Sequence, residues 1–122
     1  MTQISLVILL SLSIACGDDG NDEADAPDAA PGVCDTSTLT YESFGETFVA
    51  TYCTGCHGTD VVNRQGAPAG VNFDSLAGIQ AKATQIRARA GTGSSMPPAA
   101  ASPKPTPTER GDLAEWIECG PN

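Results

Sequence analysis

Large side chains are scarce in this chain of 122 residues, which has only six aromatics: Tyr41, Phe44, Phe48, Tyr52, Phe73 and Trp116. A single small domain with so few of them buries little apolar surface, which excludes a self-sufficient hydrophobic core and calls for another body inside it. Bases are scarce too, six Lys and Arg against fifteen Asp and Glu, for a net charge of −9. That balance excludes a basic footprint for nucleic acid and a polybasic patch for anionic lipid. Histidine occurs once, at His57, and methionine only at Met1 and Met96, so one chain cannot supply two imidazoles to a site. No apolar run reaches the ~20 residues a membrane-spanning helix needs. No strand-like alternation competes with the helical patterns, and no internal repeat is present.

The acidity is unevenly spread. Residues 17–33 hold six of the fifteen acids and none of the bases, so from residue 34 onward nine acids face six bases, or −3. The stretch "GDDGNDEADAPDAAPG" at 17–32 has no aliphatic side chain larger than alanine. It cannot bury enough surface to offset chain entropy, so residues 17–33 are expected to be a disordered tether. A flexible chain of that length spans ~20 to 25 Å, and charge repulsion lengthens it. Ahead of it, "ISLVILLSLSIAC" at 4–16 is a short apolar run ending on a small residue before Cys16. This is the pattern of an export signal, with an uncleaved anchor as the other reading. The run also resembles the lipobox of bacterial lipoproteins, which implies cleavage before Cys16, lipidation of its thiol, and anchoring at the periplasmic side of a bacterial membrane. The expected organisation is a signal at 1–16, a tether at 17–33 and one folded domain at 34–122.

Three helical patterns fill that domain. Tyr41, Phe44, Phe48, Val49 and Tyr52 recur on one 3.6-residue stripe, with Thr40 as N-cap. Leu76, Ile79, Ala83, Ile86 and Ala90 share a second face that starts beside Asp74 or Ser75 and stops at Gly91. Lys82, Arg87 and Arg89 lie off that stripe, as a solvated face or a docking spot for an acidic partner. In the third pattern Thr106, Pro107 and Glu109 stand as N-cap, N1 and N3 of a capping box. Leu113, Trp116 and Ile117 are its apolar face, and Gly120 and Pro121 end it. The loops between them, "GTDVVNRQGAPAGVNF" and "GTGSSMPPAAASPKP", are long for so small a domain, and such loops usually carry function or wrap around something.

The first helix runs into "YCTGCHG" at 52–58, which places Cys53, Cys56 and the only histidine within five positions. C-x-x-C-H is the attachment sequence for c-type haem. Two thiols three residues apart project from one helical turn toward the two vinyl groups of a porphyrin, and the adjacent imidazole is aimed at the iron. Three other readings use the same residues. A thioredoxin-type C-x-x-C calls for a βαβ context that this chain lacks. A zinc site would take Cys53, Cys56 and His57, with a fourth ligand from Cys34 or Cys119. A plain Cys53–Cys56 disulfide would leave His57 incidental.

From Tyr41 to Gly120, about two thirds of the chain, the sequence resembles the small class I monohaem cytochromes c. Gly45 and Val49 stand where that family keeps a glycine and an apolar residue for a close helix crossing, and Leu113 and Trp116 match the last-helix pair set against it. The resemblance implies an all-α small cytochrome c fold, with three main helices and long loops wrapped around a covalent haem. "GAPAG" is similar to the turn whose proline carbonyl accepts the proximal histidine's N–H, which nominates Pro68. "SSMPP" is similar to the distal methionine loop, which nominates Met96, and Arg64 is the one candidate partner for the haem propionates. Ligand arithmetic points the same way, since Met96 is the only methionine besides Met1, and a thioether favours reduced iron relative to a second histidine. A loop methionine packed on the protein would instead leave the sixth site open. The expected function is one-electron transfer between redox protein partners, without enzymatic activity. The alternative is a haem-based module that binds or senses small ligands at an open sixth site. In the fold so implied the first and last helices pack across each other, so Cys34 and Cys119 could meet in a disulfide, the alternative being two free thiols.

Overall fold

The computed structural model describes residues 32–122. The export signal, Cys16 and the tether as far as residue 31 lie outside the described residues. The end of the expected tether already belongs to the fold, with Gly32 capping a first short helix that starts at Val33. The described residues are all-α, with no strand among them. In chain order they form α1 (Val33–Thr36), a π-helical turn (Tyr41–Gly45) running into α2 (Glu46–Tyr52), and α3 (Thr54–His57). Then come α4 (Leu76–Gln80), α5 (Ala83–Ile86) running into a second π-helical turn (Arg87–Gly91), and α6 (Pro107–Glu118). No helix among the described residues is long and apolar enough to cross a membrane.

Side-chain caps set the helix starts where the sequence placed them. Thr40 Oγ1 accepts from the Ser43 N–H at 3.1 Å while Ser43 Oγ accepts from the Thr40 N–H at 2.8 Å. Ser75 Oγ accepts from the Gly78 N–H, and Thr106 and Glu109 close the expected capping box with Pro107 at N1. Each satisfies N–H groups that a helix start leaves unpaired. The second arm is not the single helix that its stripe predicts. The Lys82 N–H bonds back only three residues, to Ile79 O, and that tight turn separates α4 from α5. The stripe survives the break, because Ile79, Ile86 and Ala90 are all buried.

The core forms where the first arm meets α6. Leu113 and Trp116 are fully buried, beside Phe48, Val49 and Ile117. The Trp116 ring lies 6.1 Å from Phe44, edge-on, and 6.5 Å from Tyr41, and the ladder continues through Phe44–Phe48 at 5.3 Å and Phe48–Tyr52 at 4.9 Å. Five of the six aromatics thus form one row that runs from the crossing toward the C-x-x-C-H turn. Gly45 makes the crossing possible, since a Cβ there would lie 2.5 Å from Trp116 Cζ2. Gly45→Ala is therefore expected to destabilise the domain by about 1–3 kcal/mol, the usual cost of overpacking. A lower denaturant midpoint at unchanged slope is the expected reading, and an unchanged midpoint contradicts the close crossing.

Cys34 and Cys119 are joined as a disulfide, with Cα atoms 5.1 Å apart across a sequence separation of 85. The bridge ties α1, which buries no residue of its own, to the end of α6.

Candidate functional site

A cavity of about 530 Å³ opens between the first arm, the second arm and the two long loops. Its size is that of small-molecule and cofactor sites, about 300–1,000 Å³. Cys53, Cys56, His57, Pro68 and Met96 all line it. Residues from the motif and from both long loops, singled out for one kind of chemistry, thus face the same space.

The motif is presented by a turn of its own. α2 ends at Tyr52, Cys53 adopts φ −120° and ψ −47°, and α3 follows. The Cys53 N–H still bonds to Val49 O at 2.9 Å, while Cys53 O accepts from Cys56 at 3.1 Å and from His57 at 2.8 Å. Both thiols and the imidazole therefore belong to one helical turn fastened to the end of α2. Both cysteines are free thiols. Burial pushes the Cys53 thiol up to about 12, so it stays protonated at neutral pH, unlike the low-pKa thiols of dithiol redox sites. The zinc reading loses its fourth ligand, because Cys34 and Cys119 are bonded to each other.

His57 is held by a carbonyl, and it is not the one the sequence nominated. Nδ1 lies 3.0 Å from Val71 O. Pro68 O, three residues earlier, accepts instead from the Val71 N–H at 3.0 Å and from Arg64 Nη2 at 2.8 Å. Pro68 shapes the turn that carries the acceptor. A carbonyl oxygen can only accept, so Nδ1 is the donor in this contact, and in the neutral ring Nε2 is then the nitrogen with a free lone pair. The ring also packs on Phe73 at 4.8 Å, and the Phe73 N–H donates to His57 O at 2.7 Å.

Arg64 organises this loop. Its guanidinium donates to Gly58 O, to Ala67 O at 3.2 Å, to Pro68 O at 2.8 Å and to Val71 O at 2.8 Å. Most of its donors are therefore committed to backbone carbonyls, while the side chain also lines the cavity.

The methionine loop is fastened from α6, by a residue that sequence reasoning passed over. Arg110 Nη1 donates to Ala90 O at 2.7 Å, Gly93 O at 3.3 Å and Met96 O at 2.8 Å. The Met96 N–H adds a bond to Arg89 O at 3.0 Å. A signal was available: Arg110 stands in the first turns of α6, where a cation opposes the helix dipole, and its guanidinium meets the carbonyl end of the preceding helical arm instead. The three bases of that arm do not form one patch. Arg87 pairs with Glu118 at 2.6 Å, whereas Lys82 and Arg89 line the cavity.

Tyr52 joins the cavity wall to the α6 cap through its hydroxyl, which donates to Glu109 Oε1 at 3.0 Å. The carboxylate is held below its usual range by the Thr106 N–H, then by the Thr106 hydroxyl and Tyr52. The same bond to Glu109 raises the Tyr52 phenol.

Comparison of the chain with known protein families, with characterised proteins and with solved structures returns no match.

Proposed function

We propose that this chain is an exported, membrane-tethered c-type haem protein of the small cytochrome c type that carries single electrons between redox proteins and has no enzymatic activity of its own. The observation that carries the reading is one cavity lined by two free thiols on a single turn, the only imidazole and the only methionine beyond Met1. The donor set fits the group. Cys53 and Cys56 would hold haem covalently, His57 Nε2 offers a lone pair because Nδ1 is committed to Val71 O, and Met96 offers a soft thioether. Bound there, haem supplies one-electron cycling between Fe(III) and Fe(II). The chain's part is to orient the imidazole, keep the methionine loop closed through Arg110, and shield the site with Phe48, Tyr52 and Phe73. An organic body in the cavity would also complete a core that six aromatics leave small.

The test is whether haem stays with the polypeptide after the purified exported protein is denatured. Colourless protein, or haem lost on denaturation, would falsify the reading. Carbon monoxide then separates the electron carrier from a ligand-binding module. The wild-type spectrum is expected to be unmoved by the gas, whereas Met96→Ala is expected to bind it at once and to show a lower reduction potential. A wild type that binds carbon monoxide immediately favours the open sixth site.

A further inference from the structure

Val71 O is approached by two donors at once. His57 Nδ1 stands 3.0 Å away and Arg64 Nη2 stands 2.8 Å away. A carbonyl has two lone pairs and can serve both. Hydrogen bonding of the far ring nitrogen to an acceptor makes a metal-bound imidazole a stronger donor. An acceptor already polarised by a cation pulls less on the ring proton, so the imidazole donates less and the reduced metal is favoured. We propose that Arg64 is a positioning residue that sets the donor strength of His57 through their shared acceptor, the Val71 carbonyl, and thereby raises the reduction potential of the bound haem. The inference rests on the haem reading given above.

Sign separates this role from a purely structural one. Were Arg64 only a staple for the loop, its loss would release Val71 O from the ring, weaken the imidazole as a donor and raise the potential. Were it a drain on the carbonyl, its loss leaves His57 paired to a fuller acceptor and lowers the potential. Charge alone would act in the second direction too, and a change of cation distinguishes it. Arg64→Lys keeps the positive charge while replacing five donors in a planar fork by a single compact ammonium.

The experiment is a spectroelectrochemical titration of the haem-loaded protein with Arg64, with Arg64→Gln and with Arg64→Lys. For Arg64→Gln the equilibrium constant for reduction is expected to fall at least about threefold, about half of the 59 mV that a tenfold change represents for one electron. For Arg64→Lys a smaller fall is expected. If the glutamine variant does not load haem, the lysine variant carries the test on its own, and its fall below the wild type is the required result. A potential that is unchanged or raised in the loaded variant overturns the inference while the haem reading stands. A lysine variant matching the wild type overturns it as well, because charge alone would then suffice. Absence of covalent haem from the wild type itself overturns both.

Discussion

On the haem reading proposed above, Cys53→Ala/Cys56→Ala is expected to leave the protein without covalent haem and without a cooperative thermal transition. The two thiols sit on one turn at the Tyr52 end of the aromatic row, and no other free thiol among the described residues lines the cavity. Nothing else among them can make the bond. The folding effect comes from the cavity, about 530 Å³ bounded by Phe48, Phe73, Ile86 and Ala90. These four side chains are buried by the chain's own packing, whereas Tyr52, Val71 and Met96 on the same wall are only half-buried and would face water without an apolar body in the cavity. Small domains are stable by only about 5–15 kcal/mol, and losing the contacts of one large apolar group consumes much of that margin. Each single replacement keeps one attachment point, so Cys53→Ala and Cys56→Ala alone are expected to retain some haem at reduced yield. Absorbance after denaturation, with circular dichroism against temperature, reads both effects. A double variant that melts like the wild type and keeps its colour after denaturation would sink the attachment and the folding argument together.

Cys34→Ser/Cys119→Ser is expected to cost ~4 to 5 kcal/mol by the chain-entropy account of a long closed loop. The bond closes a separation of 85 residues, nearly the whole domain, so the unfolded chain gains most of its freedom back when the bond is removed. For a domain of this size that corresponds to a fall in melting temperature on the order of 20 °C. α1 has no buried residue to hold it in place, and without the bridge it should detach first. The end of α6 would loosen next, three residues from Trp116 and its contact with Gly45. Thermal unfolding with and without reductant, beside peptide mapping under non-reducing conditions, checks this. Free alkylation of both cysteines without reductant, or equal melting of the wild type and the double variant, contradicts it.

Much of the scaffold was legible in the chain because it depends on near neighbours. Thr40, Ser75 and Thr106 cap helices through bonds to residues three positions away, and such short-range geometry follows from the order of side chains alone. The apolar stripes predicted which faces would be buried, since a helix repeats every 3.6 residues wherever it occurs. Cys53, Cys56 and His57 fall on one turn for the same reason. The export signal and the tether as far as residue 31 are compositional readings of residues outside those described.

What the order of residues could not decide lies in long-range contacts between backbone groups, which carry no side-chain signature. Every residue but proline has the same N–H, and every residue has the same C=O, so the pattern could nominate the proline of the turn but could not show that the carbonyl three residues later reaches the imidazole. The anchoring of the methionine loop by Arg110, from α6, and the sharing of Val71 O by Arg64 and His57 are likewise matters of where the loops fold back. The pairing of Cys34 with Cys119 needs two Cα atoms 85 positions apart to come within 5.1 Å, a distance set by the crossing of the first arm with α6. Local sequence determined the parts and their faces. Tertiary packing decided which carbonyl meets which donor, because a hydrogen bond of about 3 Å tolerates little error in the position of a loop.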